Sequence, residues 1–294
     1  MTDKFFDQFA YYLRFHGKYS ENTVLSYLSD LGEFKKYLDE KKLTLESVAH
    51  PDILLFLSGI SANNRTKARY LSSLKSFFQF LADFEKLSSK IDFQGIASPK
   101  IGKHLPEYLD LEEIKVFFSC FQGADRETLR DKAMAEALYS CGLRISEMIS
   151  LELQNLNLEE HFMIVSGKGS KERFVPFGSI FQESVLEYLL KSRGDFLGKK
   201  NSSFLFLTRL GRPFTRVGAW KIIKKHAFLS GLPKNIKPHM FRHSFATHLL
   251  SNGADLRIIQ ELLGHSDIAT TQIYTHVANE ELKKMIDLYH PLSR

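Results

Sequence analysis

From Phe5 to about Leu87, apolar residues recur three and four positions apart. That period can bury apolar groups only along helix stripes, so the first hundred residues are expected to pack as helices without strands. Phe5, Phe9, Tyr12 and Leu13 form one stripe. Ser20 suits the N-cap of a second helix, in which Val24, Tyr27, Leu28, Leu31, Phe34 and Leu38 recur. A short third helix is predicted near Pro51 and a fourth from roughly Asn63 to Leu87. The fourth turns Leu71, Leu74, Phe77, Phe78 and Leu81 inward, leaving Arg65, Lys67, Arg69 and Lys75 for another surface.

Between Ser88 and His104 the periodicity fails and Gly95, Pro99, Gly102 and several lysines appear. This is the composition of an exposed linker, and a chain of 294 residues has length enough for two cores. The expected organisation is a helical domain over 1–88, a linker over 89–106 and a second domain over 107–294. Asp110, with Glu113 three residues on, predicts a capped helix at the start of that second domain. Phe162 to Val165 and Arg173 to Phe177 are β-compatible segments around Gly167-Lys168-Gly169-Ser170, which predicts a hairpin; the remainder reads as helix. The fold class is therefore mainly α with a small β-hairpin or sheet.

A net charge of +6 points to an anionic partner without identifying it. Cys120 and Cys141 make no C-x-x-C pair and read as small buried hydrophobes in a reducing compartment. No apolar run approaches the ~18 residues of a membrane span, and Met1-Thr2-Asp3-Lys4 is not a signal peptide, so a cytoplasmic protein without a membrane partner is expected.

The chemistry concentrates late in the chain. Pro238 suits a first helical position and Gly253 a C′ position, which predicts a helix over about 238–252. His239, Arg242 and His243 then share an arc, while Phe241, Phe245 and Leu249 lie on another face. His239 and Arg242 fall in the first turn, where free backbone N–H groups favour an anion. His265 and Tyr274 follow on consecutive short segments. Taken singly, each has an ordinary reading as a cap, a solvated cation or packing. Together with Arg144, in Gly142-Leu143-Arg144-Ile145-Ser146-Glu147, they suit a two-arginine phosphate clamp beside an attacking phenol.

These motifs, with Gly167-Lys168-Gly169-Ser170-Lys171-Glu172-Arg173, Leu262-Leu263-Gly264-His265 and Thr271-Gln272-Ile273-Tyr274-Thr275-His276, resemble the tyrosine site-specific recombinases. The likeness is greatest to the bacterial Xer recombinases that resolve chromosome dimers, of the XerD type. It implies an N-terminal, SAM-like core-binding domain and a mixed α/β catalytic domain, together forming a clamp around DNA. It implies that Tyr274 attacks phosphorus, leaving a 3′-phosphotyrosyl enzyme and a free 5′-hydroxyl, without metal, ATP or other cofactor. Arg144 and Arg242 would neutralise the non-bridging oxygens. Position in the motif selects Lys168 over Lys171 as the proton donor to the leaving oxygen. His265 would hydrogen-bond a non-bridging oxygen, His239 would orient or deprotonate the phenol, and Glu147 would orient the cluster. Arg65, Lys67, Arg69, Lys75, Lys171 and Arg173 are expected to contact DNA. The apolar stripe Leu282, Met285, Ile286 and Tyr289 would dock into an adjacent protomer of a tetrameric synapse, with self or a second Xer-type recombinase. A DNA translocase is a further expected partner.

Other readings fit less. His239 and His243, four apart, could be zinc ligands, but no H-E-x-x-H pattern is present and Arg242 sets a fixed cation beside the supposed metal. A non-catalytic DNA-binding module would not need the full residue set. Within the enzyme class, a DNA-relaxing topoisomerase and an integrase or transposon-type recombinase share the chemistry.

Overall fold

The computed structural model describes residues 2–16, 19–85, 91–99, 107–167, 172–264, 286 and 288–291. The chain divides into two compact units, Met1–His104 and Leu105–Arg294, each with its own apolar core.

In the first unit the helices are α1 (Thr2–Phe15), α2 (Glu21–Lys41), α3 (His50–Gly59) and α4 (Asn64–Phe84). Ser20 caps α2 by accepting the Thr23 N–H at 3.3 Å, and Asn63 caps α4 by accepting the Thr66 N–H at 2.9 Å. Their stripes meet in an aromatic core in which Phe34 packs edge-on to Phe56 at 5.1 Å and Phe9 to Phe77 at 5.2 Å. Asp30 of α2 is buried in this unit and pairs with Arg69 of α4 at 2.6 Å, while Ser73 donates to it at 3.2 Å. A buried carboxylate requires such partners, so this pair ties α2 to α4. Arg69 also donates to the Ser26 carbonyl at 3.1 Å. Arg69, expected to contact DNA, thus also ties α2 to α4 while 39% of its side chain stays exposed. Ile91 and Ile96 are buried in the same core. The stretch whose composition marks an exposed linker is therefore anchored along this part, because two isoleucines outweigh the neighbouring glycine and proline.

The second unit is built around α6 (Arg126–Tyr139), which is buried on nearly every side. It is preceded by α5 (Leu111–Phe118), where Asp110 and Glu113 exchange two 2.9 Å backbone hydrogen bonds in the expected capping box. After α7 (Ile145–Ser150), strands β1 (Leu156–Asn157), β2 (Phe162–Ser166) and β3 (Glu172–Pro176) form an antiparallel sheet in that order. Met163 and Val165 point inward from β2, and Val175 from β3. The hairpin is as the sequence predicts, with β1 as an addition too short to show a period.

Helix α8 (Ser179–Tyr188) widens into a π-helical turn over Leu189–Arg193 and closes with α9 (Gly194–Leu197). Residues 198–215, expected to be helical, instead form turns and isolated bridges, Glu152 to Phe204 and Leu207 to Pro213. The physical reason is Arg193. Its buried guanidinium takes the carbonyls of Ser202 (2.8 Å), Phe204 (2.7 Å) and Leu205 (3.1 Å), replacing the hydrogen bonds a helix would supply. α10 (Arg216–Leu229), α11 (Pro238–Ser251) and α12 (Leu256–Leu263) complete the described helices.

Ile286 is 1% exposed within this unit's own core, and the Asn252 side chain donates to the Tyr289 carbonyl at 2.6 Å. In the single chain, the part of the C-terminal stripe that is described thus packs on its own unit, where docking into a neighbour was expected. Leu282 and Met285 lie outside the described residues. Among the described residues, no helix is long and apolar enough to cross a membrane.

Candidate phosphate-binding site

Three arginines from three elements converge on one carboxylate. Glu147, on the first turn of α7, is 3% exposed, and its oxygens accept the backbone N–H of Arg144 at 2.8 Å and the Arg144 guanidinium at 2.7 Å. The helix-capping geometry of Arg144 explains the first bond: an N-cap backbone donor met by an acidic side chain three residues on. Arg173, on β3, grips the same carboxylate with both arms, Nη1 at 2.7 Å and Nη2 at 3.0 Å, and sends Nε to the Leu262 carbonyl at 3.1 Å. Arg242, from α11, stands 3.8 Å from Glu147 and holds two carbonyls instead: Gly142 at 2.7 Å and Leu263 through a close contact.

The chain bends sharply to make this possible. Gly142 adopts φ +61° just after α6, and a Cβ there would lie 2.6 Å from the Phe245 ring. Gly264 adopts φ +60° at the end of α12, where a Cβ would lie 2.9 Å from the Arg173 side chain. Both turns need glycine for conformation and for clearance. The Gly264 turn presents the last carbonyls of α12 to Arg173 and Arg242, the usual preference of cations for a helix C-terminus, and the Gly142 turn presents its own carbonyl to Arg242.

Electrostatics follow from this packing. Burial alone would push the Glu147 carboxyl upward, but the Arg173 and Arg144 guanidiniums outweigh it and hold the group down to about 2. Burial and then Arg144 draw the Arg242 guanidinium down to about 9, which still leaves it charged at neutral pH. His239 is exposed at the start of α11; desolvation first and then Lys237 lower its affinity for a proton, leaving a neutral imidazole able to accept one. Arg144 keeps 45% of its side chain exposed, against 12% for Arg242 and 11% for Arg173. The group thus offers an anion the open face of Arg144, braced by two more cations behind it.

The structure brings together Arg144, Glu147 and Arg242 of the expected set, with His239 three residues before Arg242 on α11. Lys168, Lys171, His265 and Tyr274 lie outside the described residues. Arg173, expected among the DNA contacts, sends its described hydrogen bonds to Glu147 and Leu262, so it braces the cluster from within. Strand parity carried the signal for this. Arg173 is paired with inward Val165 and shares its face with Val175 and Phe177, and an inward arginine needs a carboxylate. His248, read as structural, is buried and meets the Tyr139 hydroxyl at 3.0 Å through Nδ1. Among the described residues, no three His, Cys, Asp or Glu side chains gather as metal ligands.

A model of the phage integrase family matches residues 107–281, and one of the phage integrase N-terminal SAM-like domain matches residues 6–84. A tyrosine recombinase XerD of Oceanobacillus iheyensis is 40% identical over 297 residues, covering 99% of each chain. The chain belongs to the phage integrase family of tyrosine recombinases. Another member, tyrosine recombinase XerD of Chlorobaculum tepidum, is 40% identical over 294 residues, with 98% of this chain and 96% of the relative covered. The family fold also appears in the XerH site-specific recombinase crystallised with its palindromic difH substrate after cleavage. That structure superposes with a TM-score of 0.70 at 22% identity, over 88% of this chain and 75% of the other. The expected XerD likeness and the mainly α, two-domain fold class agree with these relatives.

Proposed function

We propose that this chain is a site-specific recombinase that cuts and rejoins double-stranded DNA through a 3′-phosphotyrosyl intermediate and resolves chromosome dimers at segregation. The observation that carries the reading is the convergence of Arg144, Arg173 and Arg242 on Glu147, the arrangement a phosphodiester needs before it can be attacked. A phosphodiester repels nucleophiles because of its charge, and fixed guanidiniums lower that barrier without reorganising during the reaction.

In this reading Arg144 and Arg242 bind the non-bridging oxygens. Tyr274 attacks phosphorus, forming an O–P bond as the 5′ oxygen departs, and Lys168 gives that oxygen its proton. His239, neutral at neutral pH, orients or deprotonates the phenol, and His265 hydrogen-bonds a non-bridging oxygen. Because the phosphotyrosyl linkage retains the bond energy, neither ATP nor a metal is required. Residues 1–88 would bind DNA, with Arg65, Lys67 and Lys75 on phosphates. The described part of the linker would begin beyond Ile96. Lys171 would reach the same backbone from the hairpin. Cleavage at two sites would proceed in a tetramer with self or a second Xer-type recombinase, in the cytoplasm, with a DNA translocase as activator.

The test is to incubate the full chain with labelled DNA from its own chromosome and trap covalent adducts in denaturant. The wild-type protein should leave a 3′ adduct that Tyr274→Phe abolishes while still binding DNA. An adduct formed equally by Tyr274→Phe, or none formed by the wild type, refutes the assignment.

A further inference from the structure

We infer that Arg173 is a positioning residue of the recombinase: by occupying Glu147 it keeps Arg242 off that carboxylate and free for the scissile phosphate. The inference rests on the proposed function and concerns a side chain that reaches no phosphate itself.

The geometry is one of limited acceptor sites. A carboxylate offers about four lone-pair positions. Glu147 fills four: two with the backbone and side chain of Arg144 and two with the paired arms of Arg173. Among the described residues Arg242, at 3.8 Å, is the cation left just outside hydrogen-bonding distance, and its arms are turned to the Gly142 and Leu263 carbonyls. Three guanidiniums against one carboxylate leave a net charge of two for an anion, the charge of Arg144 and Arg242. Without Arg173 the cluster keeps a net charge of one and Glu147 has two empty acceptor positions. Among the described residues, Arg242 is then the cation placed to fill them. Moving in would take it from the two carbonyls that aim it and bind its charge to Glu147 in place of phosphate.

Arg173 has a second hold on the site. Its Nε bonds the Leu262 carbonyl while Arg242 bonds the next carbonyl along, so the two arginines together cap the end of α12. Its strand partner is Val165 of β2, so the same side chain fixes the hairpin to α7 and α12. With 11% of its side chain exposed, Arg173 spends three donor atoms on Glu147 and Leu262.

The charge argument makes a prediction that a merely structural role does not. If the harm done by removing Arg173 is an unbalanced Glu147, then neutralising Glu147 as well must relieve it, since glutamine can still accept the Arg144 N–H. In the full chain with a labelled cleavable site, Arg173→Met should slow single-turnover adduct formation by ~100-fold, the scale for losing one preorganised donor. Glu147→Gln/Arg173→Met should regain at least ~10-fold of that loss. Arg173→Lys should recover little, because an ammonium cannot make the two parallel bonds. Adduct formation by Arg173→Met should also improve toward acid pH relative to wild type, as Glu147 becomes protonated. The inference is overturned if Arg173→Met cleaves like wild type, or if the double variant is no faster than the single one, the result expected of a direct phosphate contact. Should Arg173→Met not fold, the comparison of Arg173→Lys with Glu147→Gln/Arg173→Lys decides by the same criterion. Absence of an adduct from the wild type would refute the proposed function, whereas an active wild type without this rescue refutes the role of Arg173 alone.

Discussion

Gly142→Ala should damage stability and chemistry together, whereas Gly32→Ala should do the opposite. Gly142 sits at φ +61°, and an added Cβ would lie 2.6 Å and 2.9 Å from two carbons of the Phe245 ring and 3.2 Å from Leu263. A left-handed non-glycine residue costs about 1–2 kcal/mol. Forcing a methyl group into a filled core costs about 1–3 kcal/mol more, and Phe245 is only 1% exposed, with no open side to move into. The sum, roughly 2–5 kcal/mol, corresponds to a drop of about 5–15 °C in the melting of a unit this size. Gly32 lies exposed within α2 with nothing within 4 Å of where an added Cβ would stand, so alanine should stabilise the first unit by roughly 0.5–1 kcal/mol. Scanning calorimetry of the two variants against wild type reads both signs. Adduct formation should fall with Gly142→Ala, because Phe245 lies one turn beyond Arg242 on α11 and the Gly142 carbonyl receives Arg242 at 2.7 Å. A Gly142→Ala protein that melts within about 2 °C of wild type and cleaves normally would refute the packing argument.

Two further outcomes follow from the buried charges. Burial opposes the ionisation of Glu147, yet its arginines depress it from 4.5 to about 2, so it contributes about 3 kcal/mol of stability above the ordinary carboxylate range that is lost as pH falls toward 2. Denaturant titrations from pH 6 to 2.5 should show the gap between wild type and Glu147→Gln shrinking with acid; a constant gap refutes the assignment. In the first unit, replacing Arg65, Lys67 and Lys75 together with alanine should shallow the log–log salt slope of DNA binding by roughly two to three units. Arg69→Ala should leave that slope alone and cost about 3–5 kcal/mol by stranding Asp30; the reverse pattern in salt-dependent binding and denaturation would return Arg69 to the DNA surface.

The helices with strong stripes, the caps at Ser20 and Asp110, and the hairpin flanks were legible because each signal is complete within a few residues. Arg144, Glu147 and Arg242 could be nominated from motif and helix phase for a related reason, since residue type and local turn already show which groups could face an anion. Parity along β3 carried a signal for the inward side of Arg173, but the sequence reading assigned it to DNA because nothing local named its partner.

What the amino-acid order determined by itself is therefore local: helical period, capping, turn glycines, and the set of side chains able to do phosphodiester chemistry. What only the tertiary structure decided is pairing at a distance. Arg173 meets Glu147 across 26 residues and Leu262 across 89, Arg242 meets Gly142 across 100, and Arg69 meets the α2 backbone across 43. Ile286 joins a core assembled from helices far earlier in the chain, and Arg193 draws residues 202–205 out of helical hydrogen bonding. The physical reason is the same in each case: periodicity and capping are read from neighbouring residues. Whether a buried charge is a tool or a brace depends on which opposite charge the completed fold sets beside it.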